Sequence, residues 1–157
     1  MFLRKQKVRL NTMKKLYVAY GSNMDLAQMA HRCPKAELLG QGVMKDWQLL
    51  FKGSKTGSYA TIEHKVGDEV PVLLWKISKA DENRLDIYEG YPSFYYKKTV
   101  EVQMESGLVR GMAYIMHEER SLGIPTVRYY RVLAKAYEDF GFDLRVLQRA
   151  YRDCLVD

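Results

Sequence analysis

Leu16-Tyr-Val-Ala-Tyr-Gly-Ser-Asn-Met24 is a compact apolar run that breaks abruptly on a polar turn. Residues 16–20 are β-prone and predict a buried strand. Beyond the turn, Leu26, Met29 and Ala30 follow helical spacing, Asn23 or Ser22 is placed to cap that helix, and Asp25 suits its positive first turn. Cys33-Pro34 ends it. In such a strand-turn-helix, Gly21 tolerates unusual dihedrals, and successive N–H groups entering the helix form a concave site for an anion such as a carboxylate or phosphate. Ser22 and Asn23 add short donors. On this pattern alone, a plain turn with a helix cap is the plainer reading.

Downstream, the texture becomes strand-like. Trp47-Gln-Leu-Leu-Phe51, Tyr59-Ala-Thr-Ile-Glu63 and Val70-Pro-Val-Leu-Leu-Trp-Lys-Ile77 are separated by Gly-, Ser- and Lys-rich turns, and the last run is apolar on both faces, as in a covered central strand. Ser78-Lys-Ala-Asp81 has the form of a capping box with Asp in the Glu position. The helix it opens carries Leu85 and Tyr88 inward and stops at Glu89-Gly90, where glycine suits the left-handed position. Residues 95–104 and 108–116 predict a hairpin around Glu105-Ser-Gly107. Two amphipathic helices close the chain. One sets Tyr129, Leu133, Ala136, Tyr137 and Phe140 against a stripe of Arg128, Arg131, Lys135 and Glu138, and the other repeats Leu144, Leu147, Tyr151 and Cys154. Strands in the middle with helices at both ends predict an α+β fold whose sheet curls into a small barrel.

The chain has 157 residues, enough for one core, and a formal net charge of +6. Arg4, Lys5, Lys7, Arg9, Lys14 and Lys15 all precede the first strand and match that excess, so the folded body is expected to be near neutral. Residues 1–13 read as a basic extension without the apolar stretch of a secretory signal, and residues 14–157 as one domain. An RNA or membrane-surface binder working through that extension is the reading from a different class. Two cysteines, Cys33 and Cys154, are too few for a disulfide framework and suit reduced thiols in the cytoplasm. No apolar run approaches the ~20 residues of a membrane span. His31, His64 and His117 lack partners at metal-ligand spacing, and no metal or cofactor site is expected. Tyr95-Tyr-Lys-Lys98 mixes aromatics with cations, which an alternating edge strand explains as well as RNA would.

Glu89 is the second candidate for chemistry. Negative partial charge at a helix C-terminus and the aromatic neighbours Tyr88 and Tyr91 both disfavour its ionised form, raising its pKa toward the range of a general base. A solvated glutamate at a helix end is the plainer reading.

Taken together, Leu16-Tyr-Val-Ala-Tyr-Gly-Ser-Asn-Met24, Tyr59-Ala-Thr-Ile62, Arg84-Leu-Asp-Ile-Tyr-Glu-Gly90 with Tyr95-Tyr-Lys-Lys98, and Pro125-Thr-Val-Arg-Tyr129 resemble the γ-glutamylcyclotransferase-like family, in that order and over nearly everything from Leu16 onward. Met24 stands where Leu is usual and Thr126 where Ser is common. The resemblance implies a small mixed β-barrel flanked by helices. It also implies cyclisation of a γ-glutamyl amino acid or amine to 5-oxoproline, with a small-molecule substrate, no cofactor, and neither nucleic acid nor membrane as partner. It places the binding loop on Tyr20, Gly21, Ser22 and Asn23, the catalytic carboxylate on Glu89 and a tyrosine of the closing helix on Tyr129, with Tyr130 one position away. A non-catalytic metabolite-binding protein of the same fold is the alternative, and it predicts a closed or flat pocket around Glu89.

Overall fold

A computed structural model describes residues 14–155, so the basic extension at 1–13 lies outside the described residues. The strand predicted at residues 16–20 is β1 (Lys15–Ala19), whose last three residues are buried. A 3-10 turn over Ser22–Met24 follows, then α1 (Leu26–Arg32), β2 (Glu37–Lys52), β3 (Tyr59–Ile77), α2 (Lys79–Glu89), β4 (Tyr95–Met104), β5 (Gly107–Met116), α3 (Val127–Phe140) and α4 (Leu144–Asp153). The strands close into a five-stranded barrel in the order β1-β3-β2-β4-β5. Neighbours run antiparallel, except that β5 returns parallel to β1 where Met112 pairs with Tyr17. The α+β barrel expected from the sequence is therefore the architecture found.

The run at residues 70–77 is central as predicted, pairing with β1 on one side and β2 on the other, and Val70, Val72 and Leu73 are completely buried. The turn expected between residues 63 and 70 is not a break in the strand. Instead the ladder slips: Trp47 pairs with His64 and Lys45 with Glu69, leaving residues 65–68 opposite Asp46 alone. Asp46 takes a left-handed φ of 67°, and its carboxylate accepts the Gly67 N–H at 3.0 Å. A short polar side chain tolerates that backbone far better than a branched one. β4, read as an edge strand, lies inside the closed barrel. Tyr95 on it is buried and Lys97 is held by Glu82 and Asp86.

The helices follow local signals closely. Ser78 accepts the Asp81 N–H and the Asp81 carboxylate accepts the Ser78 N–H, each at 3.1 Å, which completes the capping box of α2. Gly90 at φ 65° ends that helix and donates its N–H back to Ile87 O at 3.2 Å. Leu85 is buried as expected, but Tyr88 is 56% exposed and turns toward a cavity rim. On α3, Leu133, Ala136 and Tyr137 are buried. On α4, Leu144 and Tyr151 stay exposed and the buried residues are Leu147 and Ala150, with Cys154 partly buried against the core. No helix among the described residues is long and apolar enough to cross a membrane.

Candidate active site: a tyrosine-walled cavity with one carboxylate

A cavity of about 480 Å³ opens where the turn after β1 meets the C-terminal end of α2, with α1, β3 and α3 completing the wall. Tyr20, Gly21, Ser22, Asn23, Glu89 and Tyr129 all line it, so the residues singled out in the sequence converge from three distant stretches of chain. The pocket around Glu89 is neither closed nor flat. Tyr130, the neighbour that shared the tyrosine assignment, packs instead against Phe51 and Tyr151, outside the cavity lining.

The turn is built differently from the helix cap expected. Asp25, not Ser22 or Asn23, caps α1, its carboxylate accepting the Gln28 N–H at 2.9 Å. Asn23 is only 3% exposed and works as a buried connector. Its amide donates to Tyr17 Oη at 2.8 Å, its backbone carbonyl accepts from Trp75 Nε1 at 3.2 Å, and its side-chain carbonyl accepts from Arg32. One hydrogen of the Asn23 amide is therefore used on the fold. What the turn offers is backbone: its first internal bond is Met24 N–H to Gly21 O at 3.0 Å, so the N–H groups of Ser22 and Asn23 precede it and have no partner within the turn. Ser22 Oγ accepts from Arg32 at 3.2 Å and keeps its own proton to donate.

Glu89 is the last residue of α2 and the one carboxylate among the described residues lining the cavity. Burial pushes its carboxyl up to about 7, against a smaller opposing pull from the Arg32 guanidinium. Its negative charge acts on Tyr17, Tyr20, Tyr95 and Tyr129, so all four hydroxyls lie around it. Burial is the main reason each of these tyrosines titrates well above the ordinary value, and all four stay neutral donors near pH 7. Two of them grip one residue. Tyr129 Oη accepts the Ala60 N–H at 3.0 Å and Tyr95 Oη donates to Ala60 O at 2.9 Å. Tyr95 thereby uses its proton on the barrel, whereas Tyr129 accepts and keeps its proton free. Gly21 lies close to that oxygen: a Cβ there would sit 3.4 Å from Tyr129 Oη.

Sequence reasoning missed Tyr17, Tyr95 and Arg32. Tyr17 and Tyr95 stood inside quoted stretches, but strand tyrosines are core residues by default. Arg32 carried no signal that separates it from a surface arginine.

A closed barrel thus gathers one carboxylate raised toward neutrality, neutral tyrosines and a turn whose first N–H groups have no partner within it around a cavity sized for a small molecule. Residues 17–132 match the model of the family described as gamma-glutamyl cyclotransferase, AIG2-like. The chain is 31% identical over 143 residues to the human protein named gamma-glutamylcyclotransferase, covering 85% of this chain and 76% of that one. It is 32% identical over 139 residues to the Bos taurus protein of the same name, covering 82% and 73%. A solved structure named gamma-glutamyl cyclotransferase superposes with a TM-score of 0.79 at 27% identity, over 88% of this chain and 86% of that one. The chain belongs to the gamma-glutamyl cyclotransferase family of enzymes.

Proposed function

We propose that the protein converts a γ-glutamyl amino acid or γ-glutamylamine to 5-oxoproline, releasing the amino acid or amine, with Glu89 as the general acid/base. The observation that carries this reading is a glutamate raised to about 7 in a cavity that faces a turn of unpaired N–H groups.

A γ-glutamyl compound already contains its nucleophile, but the α-amine is protonated near neutrality and cannot attack. The N–H groups of the turn hold the α-carboxylate and fix the chain in a folded conformer. Ionised Glu89 takes a proton from the α-ammonium. Raising the base from the ordinary 4.5 to about 7 lowers the cost of that transfer by ~3 kcal/mol. The freed amine attacks the γ-carbonyl carbon, a five-membered lactam closes, and the bond to the leaving nitrogen breaks as Glu89 returns the proton to it. Tyr129, with its proton free, donates to an oxygen of the ligand. Because both reacting groups share one molecule, near-attack positioning supplies much of the acceleration, and one acid/base group adds ~10²–10⁴-fold. A reducing cytoplasmic setting suits the two unpaired cysteines.

Glu89→Gln keeps the shape and removes the base. Release of 5-oxoproline should fall by ~10²–10⁴-fold while binding of a γ-glutamyl ligand survives, and Tyr129→Phe should cost less because it removes a single hydrogen bond. Unchanged turnover in Glu89→Gln would sink the assignment.

A further inference from the structure

Arg32, the last residue of α1, is the one cation among the described residues lining the cavity, and nothing above gives it a ligand. Its hydrogen-bond partners, Ser22 Oγ, the Asn23 side-chain carbonyl and Tyr88 Oη, are all neutral oxygens. Among the described residues no carboxylate lies within ion-pair distance of it. Glu89 of the same cavity feels the Arg32 charge but is not paired with it, so this partly buried guanidinium is placed to receive an anionic group of a ligand.

The position of the group says which anion. One nitrogen, Nη1, is turned inward to the Ser22–Asn23 turn, where the proposed reaction holds the substrate's glutamyl end. The other, Nη2, reaches Tyr88 Oη, and the guanidinium carbon stacks 3.4 Å from the centre of the Tyr88 ring, at the exposed rim. The charge therefore spans from the glutamyl end to the mouth. The glutamyl α-carboxylate already has backbone donors in the turn. A second carboxylate exists only when the leaving group is an amino acid, one carbon beyond the scissile nitrogen, at the end of the substrate away from the glutamyl α-carboxylate. Stacking on Tyr88 keeps the guanidinium plane fixed, which favours paired hydrogen bonds to a planar carboxylate.

We propose that Arg32 is the specificity-determining residue for the leaving group, binding the carboxylate of the amino acid to be released and so favouring γ-glutamyl amino acids over γ-glutamylamines. This rests on the cyclotransferase reading of the same cavity. Charge-assisted pairing of this kind changes relative kcat/KM by about 10- to 100-fold, expressed mainly in KM.

γ-Glutamyl-alanine and γ-glutamyl-ethylamine differ only in that carboxylate, so their ratio of kcat/KM for 5-oxoproline formation isolates the contact. The wild-type protein should prefer γ-glutamyl-alanine by about 10-fold or more. The ratio should fall toward one in Arg32→Gln and be partly kept in Arg32→Lys, which retains the charge without the planar fork. Each ratio is taken on one preparation, so a loss of folded enzyme lowers both rates alike and leaves it unchanged. A ratio near one in the wild type, which needs no variant, overturns the proposal, as does a ratio kept in Arg32→Gln, which would leave Arg32 holding only the turn. Absence of 5-oxoproline from both compounds with the wild-type protein is a different failure: it contradicts the activity itself, and the proposal with it.

Discussion

Glu89 is a residue held where its charge is unwelcome. In the folded chain its carboxyl titrates at about 7, while in the unfolded chain it has the ordinary value of 4.5. Between those values the folded state binds the proton more tightly, so stability falls as pH rises from about 4.5 through about 7. The penalty reaches ~3 kcal/mol once the group is fully ionised, on the scale of 1.36 kcal/mol per pKa unit. Glu89→Gln is therefore expected to be more stable than the wild type at pH 8 and little different at pH 4.5, the opposite of its effect on turnover. Thermal unfolding of both proteins across that range checks this, and parallel pH dependences would contradict a raised Glu89. The position of Glu89 at a helix end beside aromatics was legible in the sequence, because those are neighbours along the chain. The tyrosines that surround it come from β1, β4 and α3, and no local pattern announces them.

At the scale of the element, α2 delivers Glu89, and what holds α2 is an ion cluster at its first turn. Glu82 is 3% exposed, and Lys15 of β1 and Lys97 of β4 donate to it at 2.8 and 2.9 Å. Burial alone would raise this carboxyl, but the two lysines more than reverse that and hold it at about 2. Its contribution to stability is thus present above about 4.5 and is lost as pH falls toward 2. Lys97 is held a second time by Asp86, one turn further along the helix. Glu82→Gln leaves the lysines facing a neutral group and should cost ~2–3 kcal/mol, less than the full penalty for breaking a buried pair because Lys15 is about half exposed. Urea unfolding measures that loss, and a midpoint unchanged from the wild type would show that the cluster does not anchor the helix. The start and stop of α2 could be read from Ser78, Asp81 and Gly90 because caps are local. The burial of Glu82 could not, since one partner lies 67 residues away in sequence.

The whole molecule decides the rest. Alternating and apolar runs made the strands and the α+β class legible, but barrel closure rests on single pairings between distant segments, Tyr17 with Met112 and Val43 with Gln103. The slip at Asp46 was invisible for the same reason, because a register shift belongs to two strands at once. The cavity is likewise a product of closure: the turn after β1 faces the end of α2 only once β3 runs between β1 and β2 and β5 returns beside β1. The proposed chemistry at neutral pH depends on that arrangement, since the same glutamate in water would be too weak a base. The most direct measurement is the pH dependence of kcat/KM for 5-oxoproline release from a γ-glutamyl amino acid. The rate should climb through an acid limb centred at about 7 in the wild-type protein, and that limb should vanish in Glu89→Gln. A limb at the ordinary glutamate value of 4.5, or one that persists in Glu89→Gln, would contradict Glu89 as the base.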